Sequence, residues 1–269
     1  MLVKLKTYWR LGLSNLFLVS FYRFQLKSSW FKFALPISKH PIEGDFFIGS
    51  LISNLAINCP KDASSLLEGK MRYFSHQLFD VGSPPNWFID PESNSIFQND
   101  RHWSSIDDFS NGDIKLVWEA SRFQWLVLAS QGRVSTEDDS YIDLMNFWLS
   151  DWSTNNPTNQ GVNWKCGQEA SIRVINLLVS CYILGELKNP QKSLIKMIKE
   201  HCRRISNTLH YAIAQDNNHG TSEVSALFIA SSWLGFIGES NNESHSWLKR
   251  SRKGLEERVN YLVMDDGSF

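Results

Sequence analysis

The second half of the chain repeats an apolar pattern of helical period. From Asp113 onward, apolar residues recur at steps of three and four in segments that are each long enough for a helix, and short polar connections separate these segments. No alternation of Val, Ile and Thr intervenes, so nothing indicates a βα architecture. The pattern predicts helices over residues 114–129, 141–152, 168–184, 187–214, 221–238 and 246–263.

Short connections between helices of this length imply antiparallel helix pairs. Stacked pairs form either a solenoid or its closed relative, an α/α toroid. The segment 168–184 has hardly any polar face, which favours the toroid because an inner-ring helix is covered on several sides. We therefore predict an all-α protein, with an α/α toroid over residues 61–269 and an N-terminal helix with an irregular lead-in over residues 1–60.

Before residue 113 the signals are weaker. Residues 11–22 predict a packing or interfacial helix, because 12 residues are too few to span a bilayer and no small-residue cleavage site follows. Prolines and glycines in residues 28–60 predict irregular chain with a short strand, and residues 62–79 return to helical spacing. The Pro- and Trp-rich stretch 81–103 predicts a long loop that either covers a cleft or plugs the edge of the domain.

Charge and cysteine content narrow the possible partners. The formal net charge is -1, from 27 Lys and Arg against 28 Asp and Glu, so no global field attracts nucleic acid. The four cysteines form no CxxC pair and are predicted to be buried thiols. Without a convincing signal peptide we expect a cytoplasmic protein with no membrane span, the alternative being a periplasmic or secreted one. Basic runs at 192–204 and 249–253 suit either solvated outer faces or a polyanion-binding surface.

A polar stretch, residues 215–223, lies between two of the predicted helices. The amides of Asn217 and Asn218 can donate to a carboxylate, and the imidazole of His219 can exchange a proton near neutral pH. Glu223 follows His219 by four residues, so its carboxylate can face the imidazole if a helix starts near Gly220. The same residue types also suit an ordinary helix cap, so they leave a structural and a functional interpretation open.

Charged and aromatic side chains on other predicted helices extend the set of candidate substrate contacts. Glu169 and Arg173, four residues apart on an apolar helix, are predicted to pair, chiefly as a structural clamp, whereas Arg122 is predicted to contact substrate. The aromatic candidates are Trp118 and Trp125, on the same predicted helix face as Arg122, and Trp164, at the end of the polar loop 151–164.

Five motifs, in this order and spacing, resemble those of the heparinase II/III-like family of polysaccharide lyases. They are WEASRFQWLVLA (118–129), FWLSDW (147–152), NPTNQGVNWKCGQEASIRVINLL (156–178), NNHGTSE (217–223) and DDGSF (265–269). The resemblance implies an α/α toroid that catalyses β-elimination at uronic acids, where the C5 proton is removed and the glycosidic oxygen leaves. It also implies that Asn218 and His219 stabilise the enolate-like transition state, with Asn217 and Glu223 in support.

The resemblance further implies elements that this chain does not contain. Family members place a catalytic tyrosine shortly after the DGSF motif, followed by a C-terminal β-sandwich that often holds a structural metal, and this chain stops at residue 269. We therefore expect an incomplete toroid, no cofactor or metal in this chain, no activity by itself, and self-association through the uncovered domain surface.

Three functional classes follow for an acidic-polysaccharide partner, and the sequence does not distinguish glycosaminoglycan from alginate. The first is a uronic-acid polysaccharide lyase or its toroid domain, and the second is a non-catalytic protein that binds acidic polysaccharide. The third is an α/α toroid glycoside hydrolase that uses Asp151, Glu169 or Glu223. Hydrolysis needs two carboxyl groups at a defined separation, and Glu223 has His219 rather than a second acid near it in sequence, which disfavours the third.

Overall fold

The computed structural model describes residues 2–49, 55–107, 113–264 and 266–267, with side chains from Gly12 onward. Most of the 265–269 motif lies outside this range. Helices dominate the described residues. They are α1 (Leu2–Lys27), α2 (Trp30–Ala34), α3 (Ala63–Leu67), α4 (Ile114–Ser121), α5 (Gln124–Thr136), α6 (Ser140–Asn155), α7 (Gly167–Ile183), α8 (Lys192–Ala214), α9 (Asn218–Phe236) and α10 (Asn242–Leu262).

The body of the protein is a two-layer array of helix pairs. Helices α5, α7 and α9 pack side by side as one layer, and each is followed through a short connection by its partner, α6, α8 or α10. An ion pair between Arg203 of α8 and Glu243 of α10, at 2.8 Å, links helices of the second layer. This arrangement confirms the predicted all-α class and places α6 to α10 within a few residues of the predicted bounds.

Helix α7 occupies the centre of the array, which explains its lack of a polar face. It packs against α5, α8, α9 and a 3₁₀ turn at Val162–Trp164. Val174, Leu177 and Cys181 are completely buried along it. A helix enclosed on several sides loses the polar stripe of a surface helix.

The predicted helix over residues 114–129 is wrong, because the chain breaks it into α4 and α5. Phe123 adopts the left-handed conformation at φ 64° and ends the helical hydrogen-bond ladder. Its ring is completely buried and packs edge-on against Trp125 and Trp152. Burial of this ring compensates a backbone conformation that is unfavourable for a bulky residue. Trp118, Arg122 and Trp125 therefore do not form one helix face.

The predicted helix over residues 62–79 is also wrong. After the short α3, the chain forms an antiparallel hairpin of strands β1 (Lys70–Tyr73) and β2 (Gln77–Asp80), with Lys70 opposite Asp80 and Tyr73 opposite Gln77. Phe74 and Ser75 make the turn at positive φ. Burial alternates along β1, so the apolar spacing that resembled a helix comes from the inward face of a strand and a turn.

The N-terminal segment packs onto the helix array. Helix α1, longer than predicted, lies against α8, and the ring of Tyr22 stacks on Tyr211 with centroids 3.8 Å apart. Helix α2 lies in the predicted irregular segment 28–60. Residues 28–49 and 55–60 contain no strand, and the part of the strand prediction that falls on residues 50–54 lies outside the described residues. Among the described residues, we find no helix that combines the length and apolarity needed to cross a bilayer.

The loop over residues 81–103 is an aromatic plug, the second of the two predicted alternatives. Trp87, Phe97 and Trp103 are buried, and Nε1 of Trp87 donates to Oδ1 of Asp151 at 2.6 Å. The prediction of four buried thiols is partly wrong, since Cys181 and Cys202 are buried but Cys59 is exposed and Cys166 is half-buried.

Two helical glycines provide a matched test of the packing between α5 and α6. A Cβ on Gly132 would lie 2.6 Å from the buried ring of Tyr141, whereas a Cβ on Gly235 would meet only the Ser240 hydroxyl at 3.6 Å. Overpacking against a ring costs about 1–3 kcal/mol, more than the roughly 1 kcal/mol that alanine gains in a helix. We expect Gly132→Ala to lower the free energy of unfolding in urea and Gly235→Ala to leave it unchanged or raise it. Equal stabilisation by both variants would contradict this packing.

Candidate functional site

The N-termini of α7 and α9 meet at one surface, which we call the α7–α9 rim (residues 166–169 and 215–219). A Cβ on Gly167, the first residue of α7, would lie 2.5 Å from Oε1 of Glu223, in the second turn of α9. Helix α9 starts at Asn218 because the side chain of Asn217 accepts a hydrogen bond from the His219 backbone N–H at 3.0 Å. The polar stretch therefore is a helix cap, and it lies beside the start of a second helix.

His219 is half-buried on this rim and directly follows two asparagines. Asn217 and Asn218 are exposed. Burial lowers the pKa of His219 from its ordinary value, and the carboxylate of Glu169 opposes that shift. The imidazole is therefore neutral at neutral pH, with one nitrogen able to accept a proton and the other able to donate one.

Arg122 links two carboxylates next to the rim. It donates to both carboxylate oxygens of Glu169, at 2.8 and 3.0 Å, and forms a second ion pair with Glu119. Burial lowers the pKa of Arg122, but the hydrogen bonds and charges of Glu169 and Glu119 outweigh it, so the pKa lies above its ordinary value. The Arg122 side chain is 20% exposed, so part of this network faces solvent.

The predicted pair between Glu169 and Arg173 is wrong. Glu169 binds Arg122 instead, because the α4–α5 break brings that guanidinium up to the start of α7 in a two-bond geometry. Arg173 is completely buried, donating from Nη2 to the carbonyl of Asn163 at 2.6 Å and from Nε to Nε2 of His201 at 2.8 Å. It does not reach the surface and is not a substrate contact.

Glu223 does not face His219 in the way that the four-residue spacing predicts. No hydrogen bond joins the two side chains; the carboxyl of Glu223 lies against Gly167, and its Oε2 has no partner in the described structure. Burial raises the pKa of Glu223 to about 8, while the charge of Arg204 opposes the shift. At neutral pH this carboxyl is therefore mostly protonated and adds little negative charge to the rim.

The aromatic candidates belong mainly to the core. Trp125 and Trp164 are each 1% exposed and donate to the carbonyls of Ala120 and Asn156. The prediction that they contact substrate is therefore wrong, since core packing encloses both rings. Trp118 is half-buried and donates to the carbonyl of Val162 at 2.9 Å, so only part of its ring faces solvent.

Helix α10 supplies residues at the rim that the sequence did not suggest. Arg258 donates to Oδ1 of Asp216 at 3.1 Å and to the carbonyl of Asn217 at 2.9 Å, and the Tyr261 hydroxyl donates to Oδ2 of Asp216 at 3.1 Å. Asp216 sits at φ 50°. Three contacts from α10 thus fix a turn whose own backbone is in an uncommon conformation. The sequence signal that could have indicated this contact is the spacing of Arg258 and Tyr261, which lie three residues apart and so share a face of α10.

Two other predicted groups, the candidate hydrolase carboxylate Asp151 and the basic run at 192–204, differ from the prediction in their contacts or exposure. The two carboxylate oxygens of Asp151 accept hydrogen bonds from Trp87 and Asn155. Arg204, predicted as part of a basic surface run, is 1% exposed, whereas Lys192 and Lys196 of that run are exposed. Within the described residues, no group of three or more His, Cys, Asp or Glu side chains is arranged to hold a metal ion.

No family model, curated protein or solved structure matches this chain. The heparinase II/III-like resemblance therefore stays a prediction that rests on the five motifs, and the assignment of Asn218 and His219 to catalysis stays with it.

Glu223 predicts an unusual dependence of stability on pH. Its pKa rises from an ordinary 4.5 when unfolded to about 8 when folded. Between these values the folded state holds the extra proton, so the contribution of Glu223 to stability falls as pH rises. We expect Glu223→Gln to stabilise the protein at pH 8 relative to wild type, by on the order of a few kcal/mol, and to have a much smaller effect near pH 5.

Urea unfolding at both pH values measures this difference. Glu256→Gln, at a carboxylate that is 63% exposed, is the matched control and should show no such pH dependence. A Glu223→Gln variant that is equally destabilised at pH 5 and pH 8 would show that the folded protein needs the charged carboxylate.

Proposed function

We propose that the α7–α9 rim binds the uronate groups of an acidic polysaccharide, and that this chain is the toroid part of a polysaccharide lyase acting by β-elimination. The observation that supports this most directly is the half-buried imidazole of His219, which follows the exposed Asn217 and Asn218 at the start of α9, beside the start of α7. The array of helix pairs agrees with a toroid, and closure of the ring is part of the proposal.

The chemistry of β-elimination fits these groups. The C5 proton of a uronate lies beside a carboxylate, whose negative charge opposes formation of the carbanion. Amide donors from Asn218 and a helix N-terminus lower that barrier by stabilising charge on the carboxylate oxygens. The neutral imidazole of His219 can donate to the same oxygens or receive a proton.

The acidic residues near the rim do not prevent an anion from binding there. Glu119 and Glu169 share the positive charge of Arg122, and Glu223 is mostly protonated at neutral pH. The rim therefore has less negative charge than its carboxyl groups suggest. Asp216, a further carboxylate of the rim, forms an ion pair with Arg258 at 3.1 Å.

Non-catalytic binding of an acidic polysaccharide is the second candidate. Tyr261 is the tyrosine that the described contacts place at this turn, and its hydroxyl is bound to Asp216. The family resemblance puts the catalytic tyrosine in sequence after the DGSF motif instead. A rim with donors but no available phenol binds uronate without cleaving it. A hydrolase is less well supported, because Arg122 binds Glu169 and Trp87 binds Asp151.

The two candidates predict different products. We would incubate the chain, and a form extended past residue 269 where the gene continues, with alginate, heparan-type and bacterial capsular glycans. Elimination creates an unsaturated uronate that absorbs ultraviolet light. We expect absorbance to rise with a chain that includes the tyrosine, and Asn218→Ala or His219→Ala to reduce the rate at least about 100-fold.

His245→Ala is the matched control, because His245 is exposed on α10 and away from the rim turn. It should keep the wild-type rate. Calorimetric binding that Asn218→Ala removes, without any absorbance change in either form, would replace the lyase with the binding protein. Absence of both product and binding with every glycan would contradict both candidates.

A further inference from the structure

The N-terminal part of the chain is strongly basic although the whole chain is not. No Asp or Glu occurs before Glu43, whereas seven Lys and Arg do: Lys4, Lys6, Arg10, Arg23, Lys27, Lys32 and Lys39. Since the whole chain has a net charge of -1, residues 43–269 have -1 minus 7, or -8. This separation of charge gives one end of the protein an affinity for anions that the rest lacks.

The same segment exposes a row of large apolar side chains. Leu13, Phe17, Phe21 and Phe24 follow one another at steps of four, four and three, so they share one face of α1. They are 87%, 69%, 43% and 66% exposed. Trp30 and Phe33 of α2 continue the exposed surface. We call these six residues the α1–α2 apolar face.

The opposite side of α1 is already occupied. Tyr22 stacks on Tyr211, and α1 packs against α8. The ring of Phe21 is tilted against His210, so it lies at the border between the packed side and the exposed face. The helix is thus held on the protein by one side, and its apolar face points away from the protein core.

Basic side chains accompany the α1–α2 apolar face. Arg23, Lys27 and Lys32 are exposed, and in the described structure none of them forms an ion pair with a carboxylate. A helix that lies in the plane of a membrane surface typically buries Phe, Trp or Leu at the boundary between headgroups and acyl chains. Its Lys and Arg side chains remain on the polar side.

We propose that the α1–α2 apolar face docks onto the surface of an anionic phospholipid bilayer. Phe17, Phe24 and Phe33 enter the boundary between headgroups and acyl chains, and Arg23 and Lys27 contact lipid phosphates. Charge favours this partner over a second copy of the chain. Pairing two α1–α2 apolar faces would bring their positive side chains together, whereas an anionic bilayer offers negative charge and an apolar layer at once. The proposal does not depend on the lyase assignment.

Cosedimentation with vesicles tests the docking. We would compare vesicles of phosphatidylcholine alone with vesicles that also contain phosphatidylglycerol. The chain should bind the anionic vesicles about tenfold or more tightly than the neutral ones, and added salt should weaken the binding.

Two sets of substitutions separate the apolar and the charged contributions. The combination Phe17→Ser, Phe24→Ser and Phe33→Ser should weaken binding to anionic vesicles at least about tenfold, and so should Arg23→Glu, Lys27→Glu and Lys32→Glu. The matched controls are Phe147→Ser with Phe236→Ser, at rings 54% and 64% exposed, and Lys249→Glu, Arg252→Glu and Lys253→Glu on α10. Both control sets should bind as wild type does.

Three outcomes would overturn the proposal. The first is no binding to either vesicle type, and the second is equal loss of binding in the control variants. The third is a dimer in sedimentation velocity that the Phe→Ser set dissociates while vesicles are not bound, which would assign the α1–α2 apolar face to a second copy. Urea unfolding of each variant separates loss of docking from loss of folding, since the substituted side chains are exposed.

Discussion

Two buried arginines fix the segment on which the α7–α9 rim depends. Arg173 donates to the carbonyl of Asn163, and Arg204 donates to those of Trp164 and Lys165, so one stretch of backbone receives both guanidinium groups just before α7 begins. Neither arginine forms an ion pair with a carboxylate in the described structure.

Burial lowers the pKa of Arg173 to about 10, which reflects the cost of holding its charge away from water. Backbone carbonyls and aromatic faces offset that cost: Arg173 lies 5.3 Å from the ring centre of Trp152, and Arg204 lies 3.7 Å from that of Trp103.

This arrangement determines what the rim presents to solvent. With residues 163–165 fixed, α7 starts where Glu169 meets Arg122 and where Gly167 lies against Glu223. The charge of Arg204 also reaches Glu223, and α10 holds the neighbouring turn through Arg258. A half-buried histidine and two exposed asparagines are thereby held on a rigid support, as a site that stabilises developing charge requires.

The sequence predicted the regular elements better than their interruptions. Apolar periodicity was sufficient to predict helices α6 to α10, because each of them packs against a neighbouring helix along an apolar face. It failed at Phe123, where burial of one ring determines a left-handed backbone, and at residues 70–80, where inward strand positions happen to have helical spacing. Residue types indicated the cap at Asn217, but spacing within one helix could not reveal that Glu169 binds Arg122 from another segment, or that Trp125 and Trp164 lie in the core. Contacts between segments that are distant in sequence determine these pairings and burials, and a single sequence does not reveal those contacts.

The most direct test of the account is the pKa of His219, measured by NMR of the imidazole with and without a uronate oligosaccharide. The free protein should show a pKa below the ordinary value, because His219 is half-buried. A uronate carboxylate bound at the rim favours the imidazolium, so the pKa of His219 should rise on saturation, while the imidazole signals of the exposed His245 should not respond to the glycan. A His219 pKa that does not move while the glycan is bound would place the binding site elsewhere and contradict the role proposed for the α7–α9 rim.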